Sequence, residues 1–383
     1  TNIWNNLTEQ IGYWVDLDDP YITYKPKYME TVWWLLKQLY NKGLLYKGYT
    51  IQPYSPKAGT GLSSHELNQP GCYRDVSDTT ITAQFKVKEF AAQATKALGT
   101  PEGTVYILAW TTTPWTLPSN TALAVGKAID YVLVRTFNQY TFEPIRVVLA
   151  KELVEKQFGA KFFKTSEEAD FVAYANDENR KKVPYEVLAE CKGADLVGTT
   201  YEQLIPWFLP AENAEKAFRV IPGDFVTTED GTGIVHIAPT FGADDARVAR
   251  ENGIPPMLVK DENDNLVPLV NLQGRFLKGD KVPALFAGQY IKNEYYKSGE
   301  APEKSWDVEL AILLKTENKA FKVEKYVHSY PHCWRTDTPV LYYPLDSWFV
   351  KMTAVRDRLV SLNQEINWKP KATGEGRFAN WLE

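Results

Sequence analysis

Cysteine is scarce in this 383-residue chain, and the three present do not pair. Cys72, Cys191 and Cys333 lie far apart and form no CxxC couple. A disulfide framework is not indicated, and a reducing, cytoplasmic compartment is expected. Long apolar runs are missing too. None approaches the ~20 residues that span a bilayer, and no signal peptide opens the chain, so no membrane partner is expected. Positive charge is not in excess: the formal net charge is −5. No global field draws nucleic acid, and any RNA contact is local or supplied by another part of a larger protein.

Aromatic residues are plentiful at 13%, which suggests aromatic-lined surfaces as well as core. The length calls for two or three domains. The chain opens on Thr1 and stops at Glu383 without a terminal signature. A piece cut from a longer protein is expected.

Residues 1 to about 46 read as largely helical. Pro26 sits where a first turn would start, Met29, Trp33, Leu36 and Tyr40 recur at helical spacing, and Gly43 ends the run. That aromatic stripe reads as a packing face. From Tyr46 to Asp78 short strands and turns follow. The stretch 80–87 alternates as a half-exposed strand, and 104–109, 121–125, 130–135, 146–150 and 234–238 read as further strands. Short helices are expected over 151–157, 211–217, 246–252, 291–298 and 353–363, with an exposed polar insertion over 158–182.

The chain is organised around Trp110-Thr111-Thr112-Thr113-Pro114-Trp115-Thr116-Leu117-Pro118-Ser119 and the following Asn120. Two prolines forbid helix and remove two backbone donors. A rigid loop then carries four threonine hydroxyls and unpaired N–H groups, a surface suited to a small polar ligand. Taken alone, such hydroxyls also cap their own turn. A second stretch runs from Gly231 to Asp245: a buried strand carries His236, a Pro-Gly turn follows, and Asp244-Asp245 precede a helix. The acids alone could be ordinary helix N-terminal charges, and His236 a satisfied core histidine. His328, His332 and Cys333 lie together without a second ligand cluster, and His65 with Cys72 makes only two ligands, so no metal is expected.

Together these strings resemble the isoleucyl-tRNA synthetases, class I aminoacyl-tRNA synthetases, in the large insertion called connective peptide 1. The resemblance rests on WTTTPWTLPSN at 110–120, GTGIVHIAPTFGADD at 231–245, HSYPHCWRTDTP at 328–339, SWFVK at 347–351 and the segment 21–48. It spans nearly the whole chain in family order. The valyl and leucyl relatives carry Arg in a TTRP motif, and Thr113-Pro114-Trp115 points to the isoleucyl branch. The family's HIGH and KMSKS nucleotide signatures are absent, so this piece is not expected to use ATP or any other cofactor. The paired cysteines with which some members hold zinc are absent as well.

The resemblance implies an α/β fold with a strand-rich, barrel-like editing domain, flanked by helical and β-ribbon connecting segments. Its expected divisions are a helical leading and connecting segment at 1–78, the editing domain at 79–325 and a return segment at 326–383. It implies hydrolysis of mischarged Val-tRNA(Ile) after transfer, with pre-transfer editing left open, sparing Ile-tRNA(Ile). The partners implied are the tRNA(Ile) 3′ aminoacyl end and the rest of the parent synthetase.

Such a second site is needed because one methylene is worth only about 1–3 kcal/mol in an apolar pocket, a figure for which this family is itself a standard example. In the residues that match, Asp245 pairs with the α-ammonium, and Thr112 and Thr113 join it as catalytic candidates. Thr111, Thr116 and Asn120 hydrogen-bond the adenosine and ester. His236 limits side-chain size, Asp244 orients, and Trp115 and Tyr330 wall the pocket. No Ser-His-Asp or Cys-His arrangement is evident, so no covalent intermediate is expected. The alternative from another class is a non-catalytic clamp for the aminoacylated tRNA 3′ end, which would not need Asp245.

Overall fold

Tyr73–Glu89 forms one 17-residue strand, and the rest of the central sheet is hung from it. The computed structural model describes residues 2–383. The chain divides into two compact units. One comprises the chain up to Tyr49 together with Asp346–Glu383, the other Thr50–Leu345. The expected boundaries at 78/79 and 325/326 each lie within a strand. Tyr73–Glu89 and Ala320–Pro331 are continuous and pair antiparallel from Ala83↔Ala320 to Tyr73↔Pro331, making a long ribbon.

The larger unit is an α/β structure on an eleven-stranded sheet. Within that sheet a ring closes. From Tyr73–Glu89 it passes through Thr200–Tyr201, Arg219–Pro222, Ala122–Val125, Ile234–Ile237 and Val105–Thr111, and returns to Tyr73–Glu89. This closure is the barrel-like core, and it removes sheet edges that would otherwise be exposed. The strands alternate as their period of two requires. Leu123 and Val125 join Ile81, Phe85, Ile107 and Ile234 in one apolar cluster. Ala122 and Ala124 face the other way, where Ile221, Ile237 and the helix residues Val248 and Ala249 cover them.

Several local expectations need correction. The stretch 80–87 is not half-exposed: Thr80 through Phe85 are buried on both faces. Its polar face survives burial because Thr82 Oγ1 donates to Gln157 Oε1 at 3.2 Å and Gln84 Nε2 donates to the Asn318 carbonyl at 2.8 Å. The polar stretch 158–182 contains a helix, Glu168–Asn176, that buries Phe171 and Tyr174. Residues 211–217 and 291–298 form only single 3-10 turns, Ala214–Lys216 and Asn293–Tyr295. The first of these follows Asn213 in a left-handed conformation, which helices do not propagate.

In the smaller unit, Pro26–Asn41 is helical as its spacing implies, yet it buries no residue. Trp33 is 75% exposed and Trp34 58%, so within this unit the described residues leave the aromatic stripe uncovered. No helix among the described residues is long and apolar enough to cross a membrane.

Candidate active site

The site exists because one strand is threaded between the two arms of the threonine loop. Val105–Thr111 leads into the loop and Ala122–Val125 leads out. Ile234–Ile237 lies between them, parallel to the first with Val235 opposite Trp110, and antiparallel to the second with His236 opposite Leu123. Position 236 is thereby delivered directly under the loop.

The loop itself is a 3-10 turn, Pro114–Ser119, despite its prolines. Pro114 occupies its first position, where a missing N–H costs nothing. Its backbone donors are also less free than the sequence implies. The Thr116 N–H bonds the Thr113 carbonyl at 3.0 Å, the Thr113 N–H bonds Thr111 Oγ1 at 3.0 Å, and the Trp115 N–H bonds Asp307 Oδ1 at 2.9 Å. Thr116 Oγ1 donates to the Thr113 carbonyl at 2.8 Å and lies 2.9 Å from His236 Nε2. Among the described residues the Thr112 hydroxyl has no hydrogen-bond partner, and Thr112 lines the cavity below.

His236 is buried, and burial pushes its imidazole down to about 4. Its Nδ1 lies 3.2 Å from Asn120 Nδ2, which also donates to the Ala122 carbonyl at 2.8 Å. Asn120 Oδ1 accepts from the Tyr201 hydroxyl at 2.7 Å.

After Ile237 the chain turns through Ala238-Pro239-Thr240-Phe241, closed by the Phe241 N–H on the Ala238 carbonyl at 2.9 Å, into the helix Ala243–Glu251. Asp244 and Asp245 sit in its first turn. One residue of helix is about 100° of rotation, and the two acids part accordingly. Asp244 points to solvent, its side chain 74% exposed and 3.9 Å from Arg247. Asp245 points inward, where its Oδ2 accepts the Ala238 N–H at 2.8 Å. The second oxygen has no side-chain partner among the described residues. Burial, with a smaller push from Asp244, raises the Asp245 carboxyl to about 6 against the pull of that N–H and, more weakly, of its own backbone N–H. Gly242 is required by proximity: a Cβ there would lie 2.7 Å from Asp245 Cγ.

A cavity of about 470 Å³ joins these parts. Thr111, Thr112, Thr113, Thr116, His236 and Asp245 all line it, together with Trp110, Asp230, Gly231 and Phe241. That size lies within the range of small-ligand sites.

Four expected site residues lie outside it. Asn120 is one shell behind, against His236. Asp244 is at the surface. Trp115 is core: its ring packs edge-on to Phe241 at 4.9 Å. Tyr330 lies elsewhere, its hydroxyl on the Val340 carbonyl at 3.0 Å and its ring 5.4 Å from Lys292 Nζ. Among the lining residues that sequence reasoning passed over, Trp110, Gly231, Phe241 and Gly242 fall inside the two motifs, where only residues with obvious polar chemistry drew attention, and Asp230 lies just outside the second.

Among the described residues no group of three or more His, Cys, Asp or Glu is placed to hold a metal. Cys333 is buried and its N–H bonds the Thr338 carbonyl at 2.9 Å.

A family model described as tRNA synthetases class I (I, L, M and V) matches residues 1–383. The isoleucine–tRNA ligase of Bacteroides fragilis is 57% identical over 396 residues, covering 100% of this chain and 34% of that protein. The corresponding ligase of Porphyromonas gingivalis is 54% identical, also with 34% of its length covered. That of Clostridium tetani is 42% identical with 30% covered. The chain thus spans about a third of the length of the curated relatives it matches. Among solved structures, the crystal structure of GlLeuRS-CP1 aligns with a TM-score of 0.39 at 15% identity, covering 64% of this chain and 98% of that one. The Plasmodium knowlesi cytosolic leucyl-tRNA synthetase editing domain aligns at 0.33 and 14%, covering 46% and 64%. With the family model matched from end to end and close relatives of one name along its whole length, the chain belongs to the class I tRNA synthetases of the I, L, M and V group.

Proposed function

We propose that this chain is the proofreading portion of an isoleucine–tRNA ligase and hydrolyses the ester of valine mischarged on tRNA(Ile). The observation that carries the reading is the Asp245 carboxylate. It is largely desolvated, is held only by backbone N–H groups, those of Ala238 and of Asp245 itself, and shares a cavity with the threonine loop and His236. A buried anion without a countercharge is costly unless a cation arrives to pair with it. The α-ammonium of an aminoacyl ester is such a cation, and a plain ester lacks it.

With the ammonium on Asp245, the ester carbonyl comes within reach of the loop hydroxyls, of which Thr112 is uncommitted. Water adds to the carbonyl carbon, the bond from that carbon to the ribose oxygen breaks, and the ribose oxygen takes a proton. Valine and a free tRNA 3′ end are the products. His236 has both ring nitrogens committed to Thr116 and Asn120, so it acts as wall rather than base. A ribose hydroxyl of the substrate assists the water. Aminoacyl esters are already labile, and holding reactants in register suffices for a modest acceleration.

The test is release of valine from pre-charged Val-tRNA(Ile), with Ile-tRNA(Ile) as the control. Hydrolysis of the first, spared second and loss in Asp245→Ala support the reading. Tight binding of a hydrolysis-resistant valyl-adenosine with no release of valine would instead favour a clamp for the tRNA end. With a net charge of −5, the isolated chain is expected to bind whole tRNA weakly.

A further inference from the structure

Joined to the threonine loop is a buried ionic cluster that the chemistry above does not use. Lys292, with a side chain only 8% exposed, lies 3.5 Å from Asp307 Oδ2 and 3.4 Å from Asp78. The Tyr330 ring covers it at 5.4 Å, and Asp78 in turn meets His328 Nε2 at 3.1 Å. Burial works against the Lys292 charge, but Asp307, Tyr330 and Asp78 outweigh it and the ammonium is held.

Asp307 divides its two oxygens. Oδ2 faces Lys292, while Oδ1 accepts the Trp115 N–H at 2.9 Å. That donor belongs to the 3-10 turn that carries the threonines, one residue after Pro114 and one before Thr116. A 3-10 turn leaves its first N–H groups without internal partners. Pro114 has none to offer, so Trp115 supplies the orphan and Asp307 takes it.

We propose that Asp307, held in place by Lys292, is a positioning residue for the threonine loop: its Oδ1 fixes the Trp115 amide and thereby sets Thr116 against His236. The consequence for catalysis rests on the proofreading reading. The position of the amide does not.

Two readouts separate these. In the full-length synthetase, Asp307→Ala removes the acceptor and Asp307→Asn keeps one while discarding the charge that faces Lys292. With Asp307→Ala, hydrogen exchange at the Trp115 amide is expected to speed up about tenfold or more. Deacylation kcat is expected to fall by about ten- to a hundredfold, with KM changed by less than about threefold. Asp307→Asn is expected to keep slow exchange and most of kcat, although its melting temperature falls with that of Asp307→Ala. Asp307→Leu, which preserves bulk without an acceptor, replaces the alanine variant if that one does not fold.

An asparagine variant as impaired as the alanine one in exchange and kcat overturns the proposal, because charge pairing alone would then matter. So does unchanged Trp115 exchange in Asp307→Ala. If the unsubstituted enzyme releases no valine, the proofreading reading fails and the exchange measurement still decides the role of Asp307.

Discussion

Thr116 Oγ1 and His236 Nε2 lie 2.9 Å apart, and the direction of the hydrogen bond between them is fixed. The single Thr116 hydroxyl proton goes to the Thr113 carbonyl at 2.8 Å, so Thr116 accepts from His236. On the other side of the ring, Asn120 must offer its amide nitrogen, because that group also donates to the Ala122 carbonyl. His236 Nδ1 therefore accepts. The imidazole is neutral, carries its proton on Nε2, and has no nitrogen left for a substrate. What it presents to the cavity is bulk.

If bulk is the role, shrinking it should admit the larger substrate. His236→Ala is expected to hydrolyse Ile-tRNA(Ile) at a rate within about two hundredfold of Val-tRNA(Ile), since one methylene in an opened pocket discriminates by only about 1–3 kcal/mol. The measurement is the ratio of the two deacylation rates. A variant that stays strictly selective would show that something else sets the size limit.

The same histidine makes a prediction about stability. Its folded value is lowered to about 4 against an ordinary 6.5. Between those values the unfolded chain binds the extra proton, so stability rises with pH across that window and is lost as pH falls through it. The loss approaches about 3 kcal/mol at the acid end. His236→Gln, which can still donate to Thr116, should flatten this part of the stability curve in urea titrations between pH 4 and 6.5. An unaltered curve would place the titration on another group.

Asp245 runs the opposite way. Its carboxyl is raised to about 6 from an ordinary value of 3.8. The folded chain binds the extra proton, so the cost of the anion grows as pH rises through this window and is fully present above 6. Asp245→Asn should therefore gain about 1–2 kcal/mol of stability at pH 8 and almost nothing at pH 4, because the site is partly open to water. Valine release should lose its activity on the acid side near pH 6, as the partner of the ammonium becomes neutral. A flat profile from pH 5 to 8 would remove Asp245 from that role.

The two motifs were legible because each is local. A strand, a turn of fixed chemistry and a helix start place Asp245 over the Ala238 amide within seven residues. Pairing through three neighbouring strands then carries His236 under the loop. Asp244 was misjudged because a single helical step decides which acid turns inward. Trp115 and Tyr330 were misjudged because a residue type says nothing of which side of a turn or strand it occupies. Lys292 and Asp307 were invisible for a different reason. Their partners at Asp78 and Trp115 lie 214 and 192 residues away in sequence, and no spacing rule connects them. The unburied stripe on Pro26–Asn41 shows the limit from the other side: periodicity finds an apolar face, not what covers it.

Gly242 tests whether the direction of Asp245 matters as well as its charge. A methyl group at 242 would sit 2.7 Å from the carboxyl carbon and 2.9 Å from Oδ2. The φ of −128° is open to any residue, so the backbone itself is not strained by the change. Gly242→Ala is expected to keep the fold, swing the carboxylate off the Ala238 amide and lower valine release by about tenfold or more, a displacement effect of the usual size. Activity equal to that of the parent would mean that the carboxylate can be held from elsewhere.

Tyr201 supplies the last link, because it is what holds Asn120 the right way round. Its hydroxyl donates to Asn120 Oδ1 at 2.7 Å inside the core, and without it that oxygen has no partner. Tyr201→Phe leaves shape unchanged and orphans one buried acceptor, at a cost of about 1–3 kcal/mol. The amide is then free to rotate, and His236 Nδ1 loses a donor fixed at 3.2 Å. A ring released on that side can tilt. Tyr201→Phe should therefore relax the preference for Val-tRNA(Ile) over Ile-tRNA(Ile) in the same direction as His236→Ala but to a smaller degree, although residue 201 does not line the cavity. Lost stability with selectivity fully intact would show that Thr116 alone is enough to hold the histidine.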